Sequence, residues 1–174
     1  MKVLKYILFG LFGIIVLLAL VGLIASNEFN VEKSITIDAP ASEIHPYLSN
    51  LRLQNEWSVW SEMDPDQKET FEGTDGAPGS KHSWEGEITG TGYQEIVSVT
   101  PTRIETNLVF TAPYESQADV YFNLKESGSS TEVTWGFESE MPFPMNIFLI
   151  FGDMGVGDDF QKGLENLKAK VENS

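Results

Sequence analysis

His82 and a few carboxylates are the residues of this 174-residue chain whose types allow acid–base chemistry. His82 precedes Trp84 by two positions, so both side chains lie on the same face if this segment is a strand. A histidine acts as an acid or a base near neutral pH, but catalysis requires a carboxylate or a nucleophile beside it. The sequence assigns no such partner, and His82 is therefore a weak catalytic candidate for which a structural role is favoured.

The composition argues against several other kinds of site. The chain has no cysteine, which excludes thiol nucleophiles, disulfides and zinc–thiolate sites. With only two histidines and no carboxylates at calcium-loop spacing, we expect no metal and no cofactor. The 26 acidic and 11 basic residues give a formal charge of −15, so we also expect no nucleic-acid partner, because phosphates are bound by clustered Lys and Arg.

Four tryptophans are the most distinctive residues. In a fold with a cavity they would contact a hydrophobic or ring-containing ligand, whereas in a filled core each indole N–H would be satisfied locally. Both interpretations stay open, and core packing is favoured for any single tryptophan. The candidate ligand-binding residues are Trp57, Trp60, Trp84, Trp135, Phe110, Phe122, Phe148 and Phe160.

Strands are predicted from apolar residues that alternate with polar ones. The connections between the later strands are short, which indicates antiparallel neighbours. On three of these strands one face is apolar and the other is polar, so the sheet has one buried face. The predicted strands cover residues 31–38, 81–87, 93–99, 103–111, 116–125 and 131–139.

Two helices complete the predicted domain. A short one runs from an N-cap at Ser42 to about Leu51, which puts Pro46 in its first turn, and residues 57–60 follow in a loop. The second is C-terminal, and Gly163 on its packing face should let a sheet aromatic approach closely. Its apolar stripe consists of Val156, Phe160, Leu164, Leu167 and Val171. The prediction is an α+β fold, a curved antiparallel sheet with one long helix across its concave face.

The N-terminus carries a transmembrane helix candidate. Residues 6–25 are uncharged and nearly all apolar, and as a helix they span about 30 Å, the thickness of the hydrocarbon core. A cleaved signal peptide is the alternative, but the apolar run is longer than a usual signal sequence, and retention is favoured. Lys2 and Lys5 place the N-terminus in the cytoplasm and the remainder outside it. We therefore expect an anchor over residues 1–26, a linker over 27–30 and one domain over 31–174.

In this order, the segments of the domain resemble the polyketide cyclase/dehydrase-type branch of the START/Bet v 1-like (SRPBCC) superfamily. The resemblance covers about residues 31–172 and lies in the order of the segments, with Val59 where the family usually has proline. It implies a helix-grip fold that encloses an apolar cavity between sheet and long helix, but no reaction. The segments are Asp38-Ala39-Pro40-Ala41, Tyr47-Leu48, Trp57-Ser58-Val59-Trp60, Gly79-Ser80-Lys81-His82-Ser83-Trp84, Thr131-Glu132-Val133-Thr134-Trp135 and residues 159–168.

Three functions remain open at this point. The leading hypothesis is a membrane-anchored, non-catalytic domain that holds a lipid or another hydrophobic small molecule. The alternatives are a cyclase, dehydratase or hydrolase that uses His82, and a protein-interaction module that uses its acidic outer face. The apolar segment over residues 142–151 is either a flexible lid or bilayer-contacting lip, or a short buried helix, with the buried helix favoured.

Overall fold

The computed structural model describes residues 2–153 and 155–173. Seven strands form one antiparallel sheet in the order β1-β7-β6-β5-β4-β3-β2, so that β1 and β2 are its edges. The strands are β1 Glu28–Ile37, β2 Lys68–Glu72, β3 Lys81–Glu85, β4 Thr91–Thr100, β5 Arg103–Ala112, β6 Ser116–Ser127 and β7 Ser130–Glu140. The helices are α1 Lys2–Ile24, α2 Ala41–Ser49, α3 Leu51–Asn55, α4 Val59–Met63, the 3₁₀ helix Met145–Phe151 and α5 Val156–Glu172.

The C-terminal helix α5 covers the concave face of the sheet, as the sequence predicts. Its apolar stripe is buried from Phe160 to Val171, and the helix contacts β1 beside Lys33 and through Lys168, whose ammonium group donates to the Thr36 carbonyl oxygen. A Cβ added to Gly163 would lie 2.9 Å from the Trp135 ring. The expectation that Gly163 admits a sheet aromatic is therefore confirmed, since any larger residue would push the helix away from the sheet.

Two features of the sheet differ from the prediction. Strand β1 begins at Glu28, so three of the four residues assigned to a linker are strand residues. Strand β2 was not predicted, because its sequence Lys-Glu-Thr-Phe-Glu has no apolar face and every residue except Phe71 is exposed. It forms through its backbone pairing with β3 at the edge of the sheet.

The short helices also differ in detail. Helix α2 begins at Ala41, whose N–H donates to the Glu126 carboxylate at 2.7 Å, so that β6 caps the helix instead of Ser42. Pro46 is then beyond the first turn, inside the helix. The segment 57–60 is not entirely a loop, because α4 begins at Val59.

Helix α1 is the one helix of the described residues that is long and apolar enough to cross a membrane. Nearly all of its side chains are exposed, so the rest of the described chain does not cover it. Its last turn is the exception: Gly22 is buried, and a Cβ there would lie 2.9 Å from Ile147 and 3.0 Å from Phe143. The 3₁₀ helix therefore packs against the end of α1.

Candidate ligand-binding site

Five of the eight predicted ligand-binding residues form one aromatic cluster beneath α5. Trp135 on β7 is its centre, 6% exposed, and stacks on Phe160 with ring centroids 4.1 Å apart. The other members contact Trp135 edge-on or tilted, with centroids 5.1–5.6 Å away. The cluster consists of Trp57, Trp60, Phe122, Trp135 and Phe160.

These rings fill the space beneath α5 in which the sequence analysis expects a cavity. Two open depressions on the described part of the chain lie elsewhere. One, of about 720 Å³, is bordered by acidic side chains of β1, β6 and β7, including Glu28 and Glu138. The other, of about 550 Å³, lies between α2 and the β4–β5 turn. A ligand beneath this part of α5 would have to displace packed aromatic rings.

The concave face is less well covered at the end where α1 joins the sheet. Helix α5 begins at Val156, beside Lys33, so the first residues of β1 extend beyond it. Several apolar side chains there are half-buried, although their cross-strand neighbours Val31 and Ala118 are buried, whereas Ile37 and Ile104 are fully buried at the opposite end. We call this region the open end, and it consists of Phe29, Trp60, Leu108, Phe110, Phe137 and Val156.

Two buried polar atoms on the concave face have no hydrogen-bond partner in the described part of the chain. They are the Thr106 hydroxyl and the Trp135 indole N–H. Thr106 pairs with Val120 across the strands, and Val120 pairs with Phe137 of the open end. Because buried polar groups are nearly always paired, the Thr106 hydroxyl beside the open end is a suitable hydrogen-bonding position for a bound molecule, whereas the Trp135 N–H lies within the packed cluster.

Trp84 lies next to the open end and contacts Phe110 with ring centroids 5.7 Å apart. Gly92 makes this position possible, because a Cβ there would lie 2.5 Å from the Val109 carbonyl oxygen and 2.8 Å from the Trp84 ring. The Trp84 indole N–H donates to the Thr89 carbonyl at 3.4 Å. Trp84 and Phe110 are thus brought together, at a distance from the cluster around Trp135.

Asp64 fixes the loop that follows Trp84. Its carboxylate accepts hydrogen bonds from the backbone N–H groups of Ile88 at 2.7 Å and Thr89 at 3.1 Å. These bonds favour the charged form and lower the pKa of Asp64. Asp64 therefore has a structural role, and the described residues contain no group of three or more side chains arranged to hold a metal ion.

His82 has a carboxylate partner that the sequence analysis missed. Its Nε2 lies 3.2 Å from Glu69 Oε1, and its Nδ1 lies 3.5 Å from the Gln94 amide nitrogen. Phe71 covers one face of the ring at 4.3 Å. Glu69 and Phe71 both belong to β2, the strand that lacks a sequence pattern. Both nitrogens thus face protein groups, so His82 presents neither of them to a substrate.

The protonation of His82 should contribute to acid sensitivity. Burial lowers its pKa from the ordinary value of 6.5, and the attraction of Glu69 only partly opposes this effect. The unfolded chain then binds the proton first as the pH falls. The stability from neutral His82 is complete above pH 6.5 and is lost as the pH falls from there towards the lower folded pKa. In His82→Phe this loss should be absent.

The measurement is the free energy of unfolding in urea at a series of pH values, with the chain in detergent micelles. His45→Phe is the matched control and should retain the acid loss of the unmodified chain. Parallel pH curves for His82→Phe and the unmodified chain would contradict the assignment.

The remaining predicted residue, Phe148, lies away from the others on the 3₁₀ helix and is half exposed. The apolar segment around it is a short helix, as one of the two interpretations held, but most of its large side chains are exposed. Buried packing therefore does not account for its composition.

Comparisons with known proteins agree with this fold. A model of the family described as polyketide cyclase / dehydrase and lipid transport matches residues 28–172. A comparison with curated proteins gave no match. Among solved structures, a protein from Nitrosospira multiformis is 17% identical with a TM-score of 0.60, covering 82% of this chain and 95% of its own. A protein from Mesorhizobium loti is 15% identical with a TM-score of 0.63, and the match covers 83% of this chain and 98% of that protein. Ara h 8.0201 is 10% identical with a TM-score of 0.59, and the match covers 84% of this chain and 99% of that protein. At these identities the structures support the helix-grip fold alone.

Proposed function

The chain belongs to the polyketide cyclase/dehydrase and lipid transport family, and from this premise we propose that it is a membrane-tethered domain that binds a lipid or another apolar small molecule. The family description covers both enzymes and lipid transport proteins, so the function of this chain has to be inferred from the residues of its site. The observation that carries the proposal is the open end, where half-buried aromatic and aliphatic side chains border the concave face next to α1.

The open end matches a ligand with an apolar body and a polar atom. Its side chains offer rings and methyl groups for the body, as ligand sites usually do. Deeper on the same face, the Thr106 hydroxyl can form a hydrogen bond that the described residues do not provide. A fatty acyl chain with a carbonyl or hydroxyl group combines these properties.

The arrangement around His82 favours binding over catalysis. A general base needs a free nitrogen within hydrogen-bond distance of the proton that it removes. In this structure Glu69 and Gln94 face the two nitrogens, and Phe71 covers the ring. His82 therefore joins β2 to β3, and the enzyme hypothesis loses the residue on which it depends.

Helix α1 supplies the tether in this proposal. Retained as an anchor, it holds the domain at the membrane, although all 26 acidic side chains follow α1 and would be repelled by anionic lipids. Lys2 and Lys5 assign the N-terminus to the cytoplasm and the domain to the opposite side. The division into an anchor and a single domain is part of the same proposal.

Substitutions on β5 test the proposed site. Leu108 faces the open end, and its neighbour Val109 is on the convex face, where it pairs with Tyr93 and Gln117. Leu108→Glu would bury an unpaired charge against the ligand and should weaken binding at least about tenfold, which corresponds to about 1.4 kcal/mol. Val109→Glu is the matched control and should leave the affinity unchanged.

The measurement is the titration of the full chain in detergent micelles with a fatty acid that carries an environment-sensitive fluorophore. Retained tryptophan fluorescence and circular dichroism would show that each variant is folded. Absence of probe binding to the unmodified chain, or equal affinities for the two variants, would contradict the proposed site.

A further inference from the structure

The segment between β7 and α5 is an exposed apolar surface. Residues 141–152 contain no charged side chain. We call residues 142–151 the apolar lip, and Asn146 is its only strongly polar side chain. Soluble proteins seldom expose so many large apolar side chains in one patch, and such patches usually mark a contact with a protein or a membrane. The exposed side chains are Phe143, Met145, Phe148, Ile150 and Phe151, the last of which is 80% exposed.

Asn146 fixes the apolar lip to the end of α1. Its side-chain amide donates to the carbonyl oxygens of Gly22 at 2.8 Å and Ala25 at 3.4 Å, and to Asn27 Oδ1 at 2.9 Å. The side chain is fully buried. The last carbonyl groups of a helix have no partner within it, so this amide takes the place that water would occupy at a free helix end.

These contacts determine the depth of the apolar lip. Gly22 and Ala25 are three residues apart, which is about 4.5 Å along a helix axis. A helix that spans the bilayer ends at the boundary between acyl chains and headgroups. The apolar lip is therefore held at that boundary, where apolar side chains are stabilised by insertion to a depth of about 5–10 Å.

We propose that the apolar lip lies in the surface of the bilayer that α1 spans, with its exposed phenylalanines inserted between headgroups and upper acyl chains. The proposal rests on the retained tether of the proposed function. The occupant of this surface is lipid, because the apolar lip is uncharged and continuous with a lipid-facing helix. The apolar lip also connects β7 to α5, which border the open end, so its insertion brings the open end to the bilayer.

Single cysteines test the proposal, since the chain has none of its own. Phe148→Cys and Phe151→Cys carry an environment-sensitive fluorophore on the apolar lip. Phe12→Cys on α1 is the positive control, and Ser129→Cys in the β6–β7 turn is the negative control. All four positions are exposed, so the label should not disturb the fold. The full chain is reconstituted in phosphatidylcholine vesicles that contain lipids with nitroxide quenchers near the headgroup and near the middle of the acyl chains.

The labels at positions 148 and 151 should lose most of their fluorescence, as the label at position 12 does, while the label at position 129 keeps its fluorescence. Quenching at position 12 without quenching on the apolar lip would overturn the inference and leave the tether and the ligand site standing. If the fluorescence of the labels at positions 148 and 151 were blue-shifted but not quenched, the apolar lip would contact a second copy of the chain, and the inference would also be overturned. Loss of quenching at position 12 would remove the tether itself and, with it, this inference.

Discussion

Trp135→Ala should destabilise the domain by about 3–5 kcal/mol, the range for removal of a large aromatic side chain from a packed core. Trp135 contacts every other member of the cluster beneath α5 and stacks on Phe160. The α5 backbone packs directly against the Trp135 ring at Gly163, which has no side chain. No side chain at this position can therefore fill the cavity that the substitution leaves. The measurement is urea unfolding of the chain in detergent micelles, followed by near-ultraviolet circular dichroism.

Tyr114→Ala is the matched control, since this aromatic side chain is 81% exposed in the β5–β6 connection. We expect its effect to stay within about 0.5 kcal/mol. A loss below about 1 kcal/mol in Trp135→Ala would contradict a filled core, because it would mean that the removed ring had few neighbours in solution. The space under α5 would then have to be reconsidered as a ligand cavity.

Asn146→Ala should release the apolar lip from α1, at a cost of about 1–3 kcal/mol for the buried groups that lose their partner. The two amide hydrogens of Asn146 are shared among three oxygens, two of which are carbonyls at the end of α1. No other hydrogen bond joins these carbonyls to the apolar lip among those found in the described residues. The measurement is hydrogen exchange of the full chain in lipid nanodiscs, in which peptides from residues 143–151 should exchange faster.

Two further variants make this result specific. Asn146→Asp keeps the shape but places an acceptor against three oxygens, so it should release the apolar lip at least as strongly. Met145→Ala changes an exposed neighbour and should leave the exchange as it is. Unchanged exchange in both Asn146 variants would show that contacts such as Gly22 with Ile147, and not the amide, hold the apolar lip.

Much of the fold could be predicted from the sequence, because a strand or helix that buries one face has apolar residues at every second position or at helical spacing. The strand containing Ile104 and Leu108 and the stripe on α5 are of this kind. Strand β2 has no such pattern, since it lies at the edge and its side chains are mostly exposed. Because β2 was not predicted, Glu69 could not be placed beside His82, and the contact between the two side chains could not be predicted.

The candidate site was harder to predict, because periodicity assigns a side chain to a face but gives no depth. Trp135 and Phe110 both occupy the concave face, yet Trp135 is buried under α5 and Phe110 lies at the open end. The difference depends on where α5 begins relative to β1, which no local pattern reveals. The hydrogen bonds from Asn146 to the end of α1 join residues far apart in the sequence, and no local pattern predicts them.

The join between α1 and β1 limits where the protein can work. Helix α1 ends at Ile24 and β1 begins at Glu28, so only three residues, at most about 10 Å of extended chain, separate α1 from the sheet. Under the proposed function, in which α1 is a retained anchor, so short a connection would prevent the domain from carrying a ligand across an aqueous gap to another membrane. The proposal therefore predicts that the domain receives only molecules that diffuse laterally in the bilayer that α1 spans.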